Sequence, residues 1–115
     1  MALRDPERAD GFHVIRHRAP DAFVLANVGP TVSPQEALQA VEMLEANALQ
    51  IHLNAAQELV MPEGDRDFTN WSEAIAGIVA AVPVPVVVKE VGFGLSRRTI
   101  EALARTGVAA VDVAG

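Results

Sequence analysis

Short apolar segments with the pattern of β-strands alternate with helical patterns along this chain. The four strand candidates are Phe23–Asn27, Leu49–Asn54, Pro85–Glu90 and Ala109–Val113. In the second candidate, apolar and polar residues alternate, which is the period of a half-buried strand. Strands that alternate with helices over short connections predict right-handed βαβ units and a parallel sheet. We therefore predict an α/β fold built of parallel βα units.

The segments between the strand candidates carry helical spacing and residues typical of helix ends. Ser33, Pro34 and Glu36 form a capping-box pattern with proline at the first helical position, which predicts the start of a helix. We expect the charged segment Met61–Phe68 to be a loop. Further helices are predicted after Thr69 and Asn70 up to Pro83, from Ser96 to a C-cap at Gly107 and, with a weaker pattern, over Pro6–His17.

Charge and composition exclude several classes of protein. The 115 residues carry a formal net charge of -6 and no cysteine, and 50% of them are apolar. An acidic chain is a poor ligand for nucleic-acid phosphates, and a chain without cysteine has no disulfide or thiolate chemistry. The longest apolar run, Ile78–Val88, contains two prolines and is shorter than the ~18 residues of a membrane span. We expect a single domain over residues 1–115 in a soluble cytoplasmic protein that binds neither nucleic acid nor membrane.

Polar residues follow the apolar part of every strand candidate. They are Asn27, His52 with Asn54, Lys89 with Glu90, and Asp112. Parallel α/β sheets form either open doubly wound sheets or closed eight-stranded barrels, and in both the functional groups collect beyond the carboxyl ends of the strands. We therefore expect these residues to gather on one rim. Four strands are only half of such a barrel, which takes ~250 residues when complete.

The densest group of polar side chains consists of His52, Asn54, Gln57 and Glu58. His52 and Asn54 lie two residues apart on a strand and face the same side, where both can donate to an anionic group. Glu58 offers an oxygen ligand suited to magnesium, which takes one or two carboxylates together with substrate oxygens and water. The alternative interpretation is a polar strand end held by its own loop.

Lys89 and Asn27 are two further candidates. Lys89 ends a strand of valines, where an ammonium needs a partner because burying an unpaired charge is costly. It can hold an anionic cofactor or substrate, or it can form a structural ion pair with Glu90 or Asp112. The amide of Asn27 can bind the edge of a heterocycle, although an asparagine before Val-Gly-Pro is also ordinary turn chemistry.

The residues around these candidates resemble a known family. The segment Gln50–Phe68 contains the run His-x-Asn-x-x-Gln-Glu and a charged continuation, and Val86–Gly94 follows it. Both segments are similar to type 2 isopentenyl-diphosphate isomerase. The resemblance extends over the whole chain and covers about the middle third of the family's length.

The resemblance implies an FMN-dependent (β/α)8 TIM barrel in isoprenoid biosynthesis, of which this chain would be about half. Such an isomerase interconverts isopentenyl diphosphate and dimethylallyl diphosphate by protonation and deprotonation with reduced FMN and Mg²⁺, and NADPH is the usual reductant. The full-length parent is expected to be a homo-oligomer. By resemblance, His52 and Asn54 contact the diphosphate, Gln57 is a catalytic, substrate-contacting residue beside the reacting carbons, Glu58 holds Mg²⁺, and Asn27 and Lys89 bind FMN.

Several features of the family are missing from this chain. They are the N-terminal Arg-Lys diphosphate motif, the early barrel strands and the Gly-Gly-Thr segment that normally follows the last strand candidate. We therefore expect the 115 residues to have no isomerase activity by themselves. Two alternatives are a non-catalytic truncated fragment and part of another FMN-dependent TIM barrel, such as a hydroxy-acid oxidase. The His-x-Asn-x-x-Gln-Glu run argues against the oxidase.

Overall fold

The computed structural model describes residues 14–29, 31–53, 64–90 and 97–112, and within them strands and helices alternate. Residues 14–18 are helical and precede the first strand. The strands are β1 (Leu25–Val28), β2 (Ala48–Leu53), β3 (Val86–Glu90) and β4 (Ala110–Asp112), and the helices are α1 (Pro34–Leu44), α2 (Gly64–Ala81) and α3 (Arg97–Ala104). The predicted alternation of strands and helices is confirmed.

The strands form one parallel sheet in the order β1-β2-β3-β4, which is also their order along the chain. Buried residues of all three helices, Ala37, Ile78 and Leu103, belong to the same core cluster as the sheet residues Ile51 and Val88. All three helices therefore cover the same face of the sheet. A doubly wound sheet reverses its strand order and carries helices on both faces, whereas a (β/α)8 barrel does neither. The arrangement is that of consecutive βα units of a barrel.

Alternation of burial along β2 places the core on one face of the sheet. Leu49, Ile51 and Leu53 are completely buried, whereas Gln50 is half-buried and His52 is exposed. Neighbouring side chains of a strand point to opposite faces, so the apolar set packs under the helices and the polar set points away from them. The predicted half-buried strand is confirmed.

Helix α1 begins with the capping box that the sequence predicts. The Glu36 N–H donates to Ser33 Oγ at 3.1 Å, and the Ser33 N–H donates to Glu36 Oε2 at 3.2 Å. These bonds satisfy two backbone donors that lack partners at a helix start. At its other end α1 terminates with Glu45 in the left-handed conformation, at a φ of 47°.

Two predictions about helix boundaries are wrong. Helix α2 begins at Gly64, so residues 64–68 are helical rather than part of a charged loop. Helix α3 ends at Ala104, and Gly107, at a φ of 91°, lies in the turn beyond it rather than at its cap.

The remaining boundary predictions agree within a few residues. Helix α2 ends at Ala81, just before the predicted stop at Pro83. Of the weakly predicted helix Pro6–His17, the part up to residue 13 lies outside the described residues, and the part from residue 14 onward is helical. No helix in the described ranges has the length and apolar composition needed to cross a bilayer.

Arg16 connects the N-terminal helical segment to the turn between α1 and β2. Its Nη1 donates to the carbonyl oxygens of Pro20 at 2.9 Å and Ala22 at 2.8 Å. Its Nη2 donates to the carbonyl oxygen of Glu45 at 2.7 Å and to Asn47 Oδ1 at 2.8 Å. Helix α1 has no basic residue in its last turn, so the guanidinium supplies a positive charge to its C-terminal end from another part of the chain.

Candidate functional site

The predicted polar rim lies at the carboxyl ends of the four strands. Asn27, His52 and Lys89 are the second-to-last residues of β1, β2 and β3, and Asp112 is the last residue of β4. Asn27 and His52 are exposed, and Lys89 and Asp112 are half-buried. Their buried neighbours along the strands point to the helix-covered face. These neighbours are Val28 after Asn27, Ile51 before His52 and Val88 before Lys89. These four residues therefore point to the opposite face, as predicted, whereas Asn54 and the Glu90 side chain lie outside the described residues.

The strand register aligns three of these residues in one row across the sheet. His52 pairs with Lys89, and Lys89 pairs with Asp112 on its other side. Neighbouring strands lie about 4.8 Å apart, so an imidazole, an ammonium and a carboxylate follow one another within about 10 Å. The row combines groups that can bind an anion with a carboxylate that can orient the ammonium.

His52 also contacts the strand on its other side. Its Nδ1 lies 3.3 Å from Oδ1 of Asn27, a residue 25 positions earlier in the chain. The Cε1 and Nε2 atoms of the same ring lie 3.7 Å from the position that a Cβ of Gly29 would occupy. The ring therefore leans over the carboxyl end of β1. The structure brings together two residues for which the resemblance implies different ligands.

The other residues of the predicted site, Asn54, Gln57 and Glu58, lie outside the described residues. The same is true of the Glu90 side chain as an alternative partner of Lys89. Within the described ranges, no group of three or more His, Asp or Glu side chains is placed to hold a metal ion.

Gly29 and Gln50 belong to the same region, although neither was predicted to be a site residue. Gln50 is half-buried, pairs with Asn27 and Val87, and points to the same face as His52. The period of two along β2 was a signal that could have identified it. Nothing in the local sequence indicates that the ring of His52 lies against Gly29, because that contact depends on how β1 and β2 pair.

Comparison with known proteins supports the resemblance. No family model matches the chain. An isopentenyl-diphosphate delta-isomerase of Kitasatospora griseola is 60% identical over 113 residues, which are 98% of this chain. Isomerases of the same name are 54% identical over 114 residues in Listeria monocytogenes and 59% identical over 113 residues in Symbiobacterium thermophilum.

The similarity covers nearly the whole of this chain but only part of each relative. The chain spans about a third of their length, 31% of the Kitasatospora griseola protein and 32% of the Listeria monocytogenes protein. The parallel strands and the polar rim of this chain are consistent with a segment of a longer βα barrel. The resemblance to these isomerases is confirmed.

Proposed function

We propose that this chain forms part of an isopentenyl-diphosphate isomerase that interconverts isopentenyl and dimethylallyl diphosphate with the help of FMN and Mg²⁺. The main structural support for this proposal is the row of His52, Lys89 and Asp112 at the carboxyl ends of the strands. Asn27 lies in contact with His52. The row lies in a chain that is 54 to 60% identical to proteins with that name. In barrels, this rim carries the chemistry.

Binding of the substrate diphosphate is assigned to His52 and Asn54. His52 lies on the face opposite the helices, where its ring is exposed. Imidazolium and amide N–H groups are donors suited to phosphate oxygens. In this proposal they orient the diphosphate so that the hydrocarbon end of the substrate lies near Gln57.

Binding of the flavin is assigned to Asn27 and Lys89. The donor set fits the group: both residues lie on the same face of the sheet, next to His52 on either side. When bound, reduced FMN supplies the acid/base group that allows the double bond to move without net oxidation, and NADPH is the proposed source of its electrons. The ammonium of Lys89 stabilises negative charge at the cofactor, and the amide of Asn27 fixes its orientation.

Gln57 and Glu58 complete the proposed site. An amide has no useful pKa for proton transfer, so Gln57 acts as an orienting or relay group rather than as the general base. Glu58 would hold Mg²⁺, which would supply positive charge to the substrate diphosphate. These two assignments rest on the His-x-Asn-x-x-Gln-Glu run in the sequence.

A chimera tests this proposal. We would replace the matched third of the Kitasatospora griseola isomerase with this chain, whose aligned 113 residues are 60% identical. We expect the chimera to interconvert the two diphosphates at a rate of the same order as the parent when reduced FMN and Mg²⁺ are present. The 115-residue chain assayed alone should show no turnover, because its four described strands form only half of an eight-stranded barrel.

The same chimera tests the metal assignment. Glu58→Gln should raise the Mg²⁺ concentration for half-maximal rate by about tenfold or more, because losing one ionic ligand corresponds to at least ~1.4 kcal/mol. Glu73→Gln changes an exposed carboxylate on α2 and serves as the matched control. A folded, flavin-loaded chimera without isomerase activity would refute the proposed function. Equal magnesium dependence of the two variants would refute only the role of Glu58.

Part of another flavin-dependent barrel, such as a hydroxy-acid oxidase, was the alternative. The isomerase relatives reported above favour the isomerase, and no contact among the described residues favours an oxidase. The chimera distinguishes the two, since a segment of an oxidase should not support isomerase activity in the Kitasatospora griseola protein.

A further inference from the structure

We propose that Asn27 is a positioning residue for His52, and that Gly29 keeps the Nε2 side of its ring open for an anionic oxygen of the substrate. The proposal rests on the function proposed above and adds to it. It assigns Asn27 to the substrate-binding group as well as to the flavin.

The contact between Asn27 and His52 favours one of the two neutral tautomers of the ring. An amide oxygen can only accept, so we assign the donor role in the 3.3 Å contact with Asn27 Oδ1 to Nδ1 of His52. The neutral ring is therefore held with its proton on Nδ1. When the ring is cationic, its second N–H is on Nε2 and is directed away from Asn27, where it can donate to a phosphate oxygen.

Gly29 is next to the nitrogen that remains available. A Cβ at this position would lie 3.7 Å from Nε2, and a larger side chain would extend further into the same space. The φ angle of Gly29 lies outside the left-handed range, so its backbone does not require glycine. We infer that glycine is used here because a side chain would cover Nε2.

The two sides of Asn27 then serve different partners. Its Oδ1 accepts from His52, which leaves the two N–H groups of the same amide for an acceptor on the flavin. Lys89, the register partner of His52 on β3, lies on the other side of the imidazole. The orientation of the imidazole thus links the proposed flavin and diphosphate subsites through one amide.

Nuclear magnetic resonance of the ¹⁵N-histidine-labelled chain tests whether Asn27 sets the tautomer of His52. The chain has three histidines, and the signals of His52 are identified by their loss in His52→Gln. We expect the neutral ring to be protonated on Nδ1 in the natural sequence and in Asn27→Asp, which retains an acceptor. In Asn27→Ala the proton should move to Nε2. An unchanged tautomer in Asn27→Ala would overturn the assignment.

Kinetics of the chimera at saturating FMN test the consequence for the substrate. Asn27→Ala and Gly29→Val should each raise KM by about tenfold with a smaller change in kcat, the effect of losing one charge-assisted hydrogen bond. Thr31→Val introduces the same side chain at an exposed position two residues further along the chain and is the control, so its KM should stay close to that of the parent. Melting temperatures should be the same in all variants.

The outcomes separate this inference from the function on which it rests. A chimera without isomerase activity would refute the function, and the tautomer measurement would still decide the role of Asn27. An active chimera in which Asn27→Ala and Gly29→Val leave KM unchanged would overturn the inference alone. A loss of kcat and melting temperature together would show that these residues act only in the fold.

Discussion

Arg16 has a structural role that charge patterning alone does not indicate. Its two Nη atoms donate to four oxygens, and Asn47 Oδ1, one of those acceptors, also accepts from the Val24 N–H at 2.8 Å. The Nε atom of Arg16 is buried and has no acceptor among the described residues. The hydrogen bonds of the side chain to the described residues are therefore the four that its Nη atoms donate. The guanidinium thus holds the entry to β1 against the turn before β2.

We predict that Arg16→Ala destabilises the chain by about 2 kcal/mol, because carbonyl groups that accept from a charged donor lose that partner. The midpoint of urea unfolding, followed by circular dichroism, measures this change. Arg18→Ala removes an exposed arginine two positions away and should leave the midpoint nearly unchanged.

Arg16→Lys should recover little of the loss, since an ammonium cannot reproduce the planar set of four bonds. In a double-mutant cycle, Arg16→Ala and Asn47→Ala should be non-additive because they share a bond. If the Arg16→Ala and Arg18→Ala variants unfold at the same urea concentration, the structural role assigned to Arg16 is contradicted.

At the rim, the sequence identified Asn27, His52, Lys89 and Asp112, because polar residues at the ends of apolar strands are visible in a single chain. It did not identify the contact between His52 and Asn27. That contact joins residues 25 positions apart and depends on the register of β1 against β2.

Helix α1 is the element whose start is best specified by local sequence. Both hydrogen bonds of its capping box form between residues three positions apart, so the pattern predicts the structure without knowledge of the rest of the fold. Helix α2 shows the opposite case. Its start at Gly64 was missed, because charged residues and glycine are as typical of a loop as of a first helical turn.

We predict that Ser33→Ala destabilises the chain by about 1 kcal/mol, the usual cost of losing a side-chain N-cap. Thermal unfolding of the chain measures the loss. Gln35→Ala, at an exposed position two residues further into the helix, is the control and should have little effect. A Ser33→Ala variant as stable as Gln35→Ala would contradict the role of the cap.

At the scale of the whole molecule, the sheet has two edge strands. Among the described residues, β1 and β4 each pair with another strand on one side only. In a closed barrel each strand has two neighbours, so these edges are where further strands would pair. An unpaired edge is also a template for association with another chain.

We predict that the 115-residue chain associates as its concentration rises, and that Ala110→Lys reduces this association. Ala110 is an exposed residue of β4, and a charge on an edge strand opposes pairing. Light scattering measures the association. Thr31→Lys, which adds the same charge at an exposed position outside the sheet, should change it less. Equal effects of both variants would attribute association to net charge rather than to the edge.

Local sequence determined the α/β class, the alternating burial of β2, the cap of α1 and the polar rim, because each depends on the spacing of neighbouring residues. The choice of a barrel arrangement over a doubly wound sheet depended on the sequential strand order and on all three helices covering one face. The contacts of His52 with Asn27 and of Arg16 with Glu45 and Asn47 likewise appeared only in the folded chain. Such contacts join distant residues, and their geometry is set by packing and register rather than by any local pattern.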